Sequence, residues 1–337
     1  PRIIPRSEHR ISRANISDSA LKVLHRLNNA GFEAYLVGGG VRDLLLEGKP
    51  KDFDIATSAR PEEVKELFRN SRLIGRRFRL AHVRFGHELI EVATFRAHHE
   101  ADESGKAGVT ENGMILRDNV YGNRDEDALR RDFSVNCLYY DLRDFSVIDF
   151  AGGVEDLDAR LIRMVGDPVQ RYTEDPVRVL RAVRFAAKLG FTLEEGTYDA
   201  IEECAHLLEE VPPARLFEEV LKLFMTGHAA ASLTILCELD VFKYLFPATD
   251  HLIAEHERSA RLVEAALHNT DTRVAVNKPV TPAFLVAALL WPVLRLHLGG
   301  HEVRDMSPAM AVDHAGGMVV VDQNQRIALP KRFTLMA

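Results

Sequence analysis

The stretch "LVGGGVRDLLLEGKPKDFDIAT", Leu36 to Thr57, decides the fold of this chain. An apolar run leads into three glycines and a short helical segment, and two aspartates flanking Phe53 follow. A strand that ends in glycines at a helix start exposes backbone N–H groups, which suit phosphate. Dinucleotide and Walker fingerprints are excluded, because both require glycine where Asp43 stands. The glycines predict a phosphate-binding turn, with a purely structural tight turn as the alternative.

The triplet Asp52-Phe53-Asp54 adds a second chemical feature to the same stretch. In a strand, residues i and i+2 face the same side, so both carboxylates converge while Phe53 packs into the core. Two neighbouring carboxylates repel each other and favour a bound cation. We therefore expect Asp52 and Asp54 to hold Mg²⁺ for phosphoryl transfer.

Length and composition indicate a multidomain soluble protein. A chain of 337 residues is expected to form two or three domains. No apolar run reaches the roughly 18 residues of a spanning helix, and no secretory signal is visible, so we expect a cytoplasmic protein without membrane contact. Three scattered cysteines argue against a disulfide framework and are expected to be buried free thiols: Cys137, Cys204 and Cys237.

The charge of the chain is unevenly distributed. The net charge of −7 argues against nucleic acid, but residues 1–100 contain 18 Lys and Arg against 13 Asp and Glu. The first segment is therefore the expected anion binder. Its stretch "RNSRLIGRRFR" is the densest basic run and contains the residues expected to bind RNA or phosphate, namely Arg76, Arg77 and Arg79. A solvated helix end and strand is the alternative.

A coarse pass along the chain separates a mixed region from a helical one. A helix capped at Ser17 precedes the strand "EAYLVGG", and "FRLAHVRF" and "ELIEVATFR" predict a β-hairpin. The polar, Gly-bearing segment from Ala101 to Gly113 is predicted to be a mobile loop. After about Asp167 the segments carry helical periodicity with Gly or Pro breaks. The pattern predicts an α/β head followed by helices.

Three ordered motifs carry a resemblance to a known superfamily. From about Ile11 to Phe246, "LVGGGVRDLLL…KDFDIAT", "RRDFSVN" and "EDPVRVLRAVRFAAKLG" resemble the class II nucleotidyltransferases, which include bacterial poly(A) polymerases and CCA-adding tRNA nucleotidyltransferases. The resemblance implies an α+β fold, with a polymerase-β-like head containing a mixed sheet and an all-α neck and body. We expect an N-terminal extension over 1–16, the head over 17–167, the neck over 168–227 and a partial body over 228–337.

The same resemblance implies the site residues. It makes Asp52 and Asp54 the metal-binding catalytic carboxylates, with two Mg²⁺ ions as cofactors and ATP as substrate. The third carboxylate stays open between Asp127, which is preferred as a catalytic residue, and Glu91, which an adjacent strand can aim at the same metals. The remaining residues expected to bind nucleotide are Gly38, Gly39, Arg42, Arg131, Asp132, Asp175, Arg178 and Arg181.

The neck motif "TEDPVRVLR" admits a structural and a functional interpretation. Pro176 suits the first helical position and Asp175 its cap, which is the structural interpretation. In the functional one, the Asp175 carboxylate accepts from an exocyclic amino group while the Arg178 guanidinium donates to the neighbouring ring nitrogen. Arg181, one turn further, faces the same side. Adenine and cytosine both satisfy this pattern, so the motif does not choose between ATP and CTP.

The run "LIGRRFRLAHV", Leu73 to Val83, resembles the feature that distinguishes bacterial poly(A) polymerases from CCA-adding enzymes. We expect template-independent addition of AMP from ATP to RNA 3′ ends by a monomeric enzyme. CCA addition is the alternative within the enzyme class, and a non-catalytic RNA- or nucleotide-binding protein is the alternative outside it. Poly(A) polymerases of this type continue beyond the "PKR" at 330–332 into a basic tail. The chain is therefore expected to be truncated and to lack that RNA-binding tail.

Overall fold

The structure is a computed structural model that describes residues 1–75, 79–97 and 120–334. Within these residues the chain divides into two compact units. The first, called the head unit, comprises Pro1–Asp175 and Thr192–Thr197, and the second, called the helical unit, comprises Pro176–Phe191 and Tyr198–Ala337. The loop predicted over Ala101–Gly113 lies outside the described residues. The described strands lie in the head unit together with several helices, and the other unit is helical, which confirms the predicted α+β class.

A mixed sheet of eight strands forms the centre of the head unit. The strands are β1 (Arg2–Ile4), β2 (Ala34–Val37), β3 (Asp54–Thr57), β4 (Ser71–Ile74), β5 (Leu80–Phe85), β6 (Glu88–Thr94), β7 (Leu138–Asp141) and β8 (Val147–Asp149). Their spatial order is β1-β8-β7-β2-β3-β6-β5-β4. β3 and β6 pair in parallel, whereas their neighbours pair antiparallel. The residues before α1, predicted to be an extension ahead of the head, thus supply an edge strand of its sheet through β1.

Six helices and a small ribbon accompany this sheet within the described residues of the head unit. The helices are α1 (Asp18–Asn29), α2 (Gly39–Leu45), α3 (Pro61–Leu67), α4 (Arg124–Leu129), α5 (Gly153–Ala159) and α6 (Pro168–Glu174). The ribbon pairs β9 (Leu161–Ile162) in parallel with β10 (Thr192–Leu193). The Ser17 hydroxyl accepts from the Ala20 N–H at 3.1 Å, which confirms the predicted cap of α1.

A buried apolar cluster lies on one face of the eight-stranded sheet and includes one residue of α4. The cluster joins Ala128 of α4 to Tyr35, Val37, Ala56, Phe95, Tyr139 and Ile148 of the sheet and its continuation. Because side chains alternate along a strand, Asp54, opposite Val37 in β2, belongs to this same face. The core therefore fixes which side of the sheet presents the carboxylates.

Two expected features around the aspartate triplet have different outcomes. The hairpin of β5 and β6 is confirmed, with residues 86 and 87 as its turn. The expectation that Asp52 and Asp54 both lie on one strand is wrong, because β3 begins at Asp54 and Asp52 lies in the segment before it. Phe53 is buried, as predicted.

The helical unit is built from long amphipathic and apolar helices. They are α7 (Val177–Leu189), α8 (Glu195–Cys204, which begins in the head unit), α9 (Pro213–Phe224), α10 (Ala229–Glu238), α11 (Pro247–Glu255), α12 (Glu257–Ala275), α13 (Pro282–Leu298), α14 (Pro308–Gln323) and α15 (Lys331–Thr334). Cys137 and Cys204 are buried as expected, whereas Cys237 on α10 is exposed. In the described chain no single helix is long and apolar enough to cross a membrane; α9 and α10 pass that test only together, across a bend of 119°.

Helix α13 contains a proline in its interior. Pro292 has no N–H, so the carbonyl of Ala288 loses its usual helical donor. The next carbonyl, that of Leu289, accepts a hydrogen bond of 2.8 Å from the buried Thr249 hydroxyl of α11. This bond ties α11 to α13 next to Trp291, the only tryptophan of the chain.

Candidate active site

The glycine turn between β2 and α2 requires glycine at its first position. Gly38 precedes the helix with φ +66° and ψ −135°. Residues that carry a Cβ disfavour this conformation, whereas glycine adopts it readily. A Cβ at this residue would lie 3.3 Å from the Arg131 guanidinium. The Gly38 N–H donates to the Leu138 carbonyl at 3.2 Å. Gly39 is the first residue of α2. The turn thus brings the start of α2 beside an arginine, and nucleotide binding by Gly38 and Gly39 stays a prediction.

Two carboxylates face each other on the central strands of the sheet. Asp54 of β3 stands opposite Glu91 in the parallel pairing with β6. Burial, reinforced by the charges of Glu91 and Asp52 and opposed by Arg131, raises the pKa of Asp54 from 3.8 to about 6. Asp52 is exposed just before the strand. The site therefore carries negative charge that the protein compensates only in part.

This donor set fits magnesium that a substrate helps to hold. Among the residues that the structure describes, no group of three or more histidine, cysteine or acidic side chains is placed to hold a metal ion alone. Mg²⁺, however, is commonly held by one or two carboxylates together with substrate phosphates and water. The crowded charges at Asp54 and Glu91 match that requirement. The expected pair of Mg²⁺ ions stays a prediction.

Asp127 is held in a hydrogen-bond network on the same face. It is 6% exposed, and its Oδ1 accepts from the Arg96 N–H at 3.1 Å. Its Oδ2 accepts from the Tyr139 hydroxyl at 2.5 Å and from Arg131 Nη2 at 3.1 Å. Both oxygens are therefore engaged by the protein. Its expected catalytic role stays untested, and the geometry favours Glu91 as the third carboxylate.

Arg131 is the cation that these contacts position. Its Nε donates to the Tyr139 hydroxyl at 2.9 Å, and its guanidinium lies 5.1 Å from the centre of that ring. Burial disfavours its charge, but Tyr139 and Asp127 raise the pKa of Arg131 above its ordinary value. The guanidinium is thus permanently charged and lies close enough to lower the pKa of Asp54. This placement suits a contact with phosphate.

Arg171 of α6 supports this arrangement from behind and was not found from the sequence. Its Nη2 donates to the carbonyls of Arg130 and Arg131, the latter at 2.8 Å. Its Nη1 donates to Glu174 at 2.6 Å. The buried guanidinium therefore fixes the backbone that carries Arg131. The sequence offered only one signal for it, its position one turn before "EDPVR".

A second network connects the glycine turn to the "RRDFSVN" motif. Arg42 is 2% exposed, and its Nη1 donates to Asn136 Oδ1 at 2.7 Å. Asn136 Nδ2 in turn donates to Asp132 Oδ1 at 3.0 Å. Asp43 accepts from the Nε and Nη2 of Arg42 at 2.8 and 2.6 Å. These contacts are those of positioning residues. Asn136 was part of the motif, but the sequence assigned it no role, and nucleotide binding by Arg42 and Asp132 stays a prediction.

Asp175 lies between two helices of the neck motif. It follows the last residue of α6, where its N–H donates to the Arg171 carbonyl at 3.3 Å. Helix α7 begins at Val177, and Pro176 before it already has helical φ and ψ of −59° and −22°, whereas Asp175 is extended. The cap of α7 by the Asp175 side chain stays a prediction. The proline itself presets the backbone there. Recognition of the base by Asp175 stays a prediction.

The two arginines of α7 lie on one side of that helix. Arg178 and Arg181 are three residues apart and half-buried. The Arg181 guanidinium lies 5.4 Å from the centre of the Phe185 ring on the same helix. The positions of Arg178 and Arg181 on α7 do not test the predicted contacts with base or phosphate, which stay predictions.

The basic run is described only in part. Arg79 pairs with Glu62 at 2.9 Å, and both side chains are about half exposed. Arg76 and Arg77 lie outside the described residues. RNA binding by these three arginines therefore stays a prediction.

Two family models match the chain. The poly A polymerase head domain matches residues 34–163. A model described as the probable RNA and SrmB-binding site of polymerase A matches residues 190–253. The first match contains the glycine turn, both central carboxylates and the "RRDFSVN" motif.

Curated relatives and solved structures extend these matches. Poly(A) polymerase I of Escherichia coli O6:H1 is 51% identical over 99% of this chain and 73% of its own length. A CCA-adding enzyme of Lactobacillus helveticus is 44% identical over 64% of this chain and 52% of its own length. The crystal structure of the Bacillus stearothermophilus CCA-adding enzyme with CTP is 29% identical, with a TM-score of 0.60 over 90% of this chain and 69% of that one. A tRNA nucleotidyltransferase solved with primer tRNA and an ATP analog is 27% identical, with a TM-score of 0.62 over 88% of this chain and 83% of that one.

Proposed function

This chain belongs to the bacterial poly(A) polymerase I family, and from that membership we propose that it transfers AMP from ATP to RNA 3′ ends by two-metal phosphoryl transfer. The family makes the chain a nucleotidyltransferase with a nucleotide substrate. The predicted polyadenylation activity is confirmed at the level of the family. The identity of the metal and the roles of individual residues are part of the proposal.

The extent of the similarity supports AMP addition over CCA addition. The poly(A) polymerase relatives align along nearly the whole chain, including α12 and α13. The CCA-adding relative aligns over 64% of the chain at lower identity. We therefore retain CCA addition only as the alternative that the experiment below must exclude.

The pairing of Asp54 with Glu91 is the observation that carries the chemistry. Parallel pairing of β3 and β6 places these two carboxylates side by side, with Asp52 just before the strand. These three residues would hold the Mg²⁺ ions, which when bound promote attack by the RNA 3′-hydroxyl and neutralise the pyrophosphate leaving group. In the transfer, the 3′-oxygen bonds to the α-phosphorus while the bond to pyrophosphate breaks.

The surrounding residues orient the nucleotide for this step. The Gly38 N–H is taken by the Leu138 carbonyl, so the Gly39 N–H at the start of α2 is the donor suited to the triphosphate, and Arg131 places a fixed positive charge next to this turn. Asp127 and Tyr139 hold that guanidinium in place. Asp175 and Arg178 are proposed to recognise the amino-bearing edge of adenine. Pre-positioned charge of this kind stabilises a transition state without reorganisation during the reaction.

RNA is the proposed acceptor, supported by the match of residues 190–253 to an RNA-binding model. The structures of relatives with primer tRNA and an ATP analog support the same pair of ligands. The expected monomeric state and cytoplasmic location stay predictions.

The function is tested by extension of a labelled, unstructured RNA primer with Mg²⁺ and each nucleotide separately. We expect ATP alone to yield products that grow past three added residues, and CTP to be incorporated poorly. A tRNA lacking its 3′ end serves as the competing acceptor. Addition of C-C-A to that tRNA, followed by arrest, would assign the chain to the alternative activity.

A further inference from the structure

An open surface pocket of about 450 Å³ lies in the helical unit between α11, the start of α12 and the middle of α13. Trp291 lines it and is 42% exposed, which leaves a large part of the indole ring open to solvent. Leu262 and Leu296 add further exposed apolar surface beside the ring. The pocket lies almost entirely outside residues 190–253, the region matched to an RNA-binding model.

Two arginines on the pocket wall have no acidic partner among the residues that the structure describes. Arg258 of α12 and Arg295 of α13 are both exposed and line the same pocket. Across the described ranges, neither guanidinium forms an ion pair or a side-chain hydrogen bond. Unpaired guanidinium groups beside an aromatic ring provide sites for phosphate and for a base.

Two acidic residues of the pocket lie near basic side chains of their own helices. Glu257 pairs with Arg261 at 2.5 Å, one turn along α12. Glu255 Oε2 lies 3.4 Å from His251 Nε2, one turn back along α11, and this histidine is charged only when protonated. Arg258 and Arg295 are the pocket-lining arginines for which no such pairing is found among the described residues.

We infer that this pocket binds single-stranded RNA, with a base stacked on Trp291 and the adjoining phosphates contacted by Arg258 and Arg295. Sequence-tolerant binding of single strands combines aromatic stacking with positive charge along the backbone, and this pocket contains both. The inference rests on the proposed function for the choice of RNA as ligand. The Thr249 bond at Leu289 and the ring of Pro292 hold the backbone that carries Trp291, so the stacking surface is pre-positioned.

The single tryptophan makes the site directly observable. Oligo(A) of about 12 nucleotides, within the range that single-strand sites cover, is titrated into the full chain without ATP while tryptophan fluorescence is recorded. We expect saturable quenching with the same midpoint as fluorescence anisotropy of a labelled oligo(A). Quenching that does not saturate, while anisotropy does, would place the RNA elsewhere and overturn the inference.

Substitutions at Trp291 separate stacking from packing. Trp291→Phe keeps an aromatic face and is expected to bind oligo(A) within about twofold of the original chain. Trp291→Leu keeps apolar volume but loses the aromatic face, so binding measured by anisotropy should weaken by about tenfold. Phe284→Leu removes an exposed aromatic ring from the same helix outside the pocket and is the matched control. Equal affinities of the Trp291→Leu and Phe284→Leu variants would overturn the inference.

Substitutions at the arginines test the phosphate contacts. Arg258→Ala combined with Arg295→Ala should reduce the slope of log affinity against log salt by about 1.4, the value for two phosphates of a single strand. Arg304→Ala, at an exposed arginine of the same unit outside the pocket, should change the slope far less. An unchanged slope in the double variant would exclude these contacts.

The competing occupant of an apolar, arginine-bearing pocket is a second copy of the chain. Sedimentation of the unsubstituted chain and of Trp291→Leu distinguishes RNA from a second copy as the occupant. If the pocket is a self-association surface, the unsubstituted chain should be a dimer that Trp291→Leu dissociates. If the pocket binds RNA, both chains should sediment as the same species. If the unsubstituted chain does not transfer AMP, the proposed function is refuted. If it does transfer AMP, and Trp291→Leu binds oligo(A) as tightly as the unsubstituted chain, only this RNA subsite is refuted.

Discussion

The head unit and the helical unit use charged side chains in opposite ways. In the head, Asp54 and Glu91 are brought side by side on neighbouring strands, and Asp127 and Arg131 are fixed by several hydrogen bonds. In the helical unit, the charges around Trp291 stand on exposed helix surfaces. Strand register fixes positions more tightly than a helix surface does, which suits a reaction centre in one unit and adaptable RNA contacts in the other.

The comparison teaches that unfavourable charge identifies the reacting centre more clearly than favourable charge does. Paired arginines such as Arg79 with Glu62 occur on the surface and contribute little to stability. The raised pKa of Asp54 instead shows a cost that folding tolerates. Four experiments with substituted chains test this division between the units.

The largest effect is expected at the two aspartates of the head. Asp52→Ala or Asp54→Ala should reduce AMP transfer by several orders of magnitude, because each removes a proposed metal ligand. Single-turnover extension of a labelled primer measures the loss, and circular dichroism checks that the fold is retained. Near-normal extension by either variant would refute the metal assignment and the contrast between the units.

The third carboxylate is decided by comparing Glu91→Gln with Asp127→Asn. Glu91 stands beside Asp54, so its replacement should reduce kcat by about a thousandfold. Asp127 acts through Arg131 in our interpretation, so its replacement should cost about tenfold in kcat and lower the melting temperature as well. The reverse ranking would restore Asp127 as the catalytic residue.

A smaller effect is expected at Arg178 of α7. Arg178→Ala should lower kcat/KM for ATP by about a hundredfold, because the proposed charged hydrogen bond to the base is lost. Affinity for oligo(A), measured by anisotropy, should change little, because phosphate contacts elsewhere are retained. Arg178→Lys keeps the charge but not the planar fork and should recover only part of the loss. A parallel fall in RNA affinity would count against base recognition.

The smallest effect is expected on the stability of the Asp54→Asn variant. Loss of the Asp54 charge should stabilise the fold, although substitution of this residue is expected to reduce AMP transfer. The folded state raises the pKa of Asp54, so its ionised form destabilises the fold at pH 7. Asp54→Asn should therefore raise the free energy of unfolding by roughly 1–3 kcal/mol in the absence of divalent cations. The gain should shrink as the pH falls from about 6 towards 4, where Asp54 of the original chain is also neutral. Urea unfolding at pH 7 and pH 4.5 measures both values, and a loss of stability at pH 7 would contradict the electrostatic account.

The sequence was most informative where chemistry and local structure coincide. The glycines before α2, the hairpin of β5 and β6 and the cap of α1 at Ser17 depend on nearby residues, and all three appear as local patterns suggest. The cap predicted at Asp175 stays a prediction. The motif did not reveal that Asp175 also directly follows the last residue of α6.

The remaining features depend on contacts between distant residues. The choice between Glu91 and Asp127 stayed open because neither the β3 nor the β6 sequence indicates which distant strand it pairs with. Arg171 and Asn136 were missed for the same reason, since their partners lie on other elements. The Trp291 pocket carries no motif, and only the packing of α11, α12 and α13 brings its residues together.

The parallel pairing of β3 with β6 also has a consequence for how the head folds. The hairpin of β5 and β6 and the pairing of β2 with β3 are local and can form early, whereas β3 and β6 meet only after α3, β4 and β5 have been placed. We therefore expect Asp54 and Glu91 to remain apart in a partly folded chain, so that their repulsion opposes only a late step. A slip of one residue in that step would turn Glu91 to the other face of the sheet. Pairing of β3 with β6 in the native register is thus the step that brings the two carboxylates of the reaction centre together.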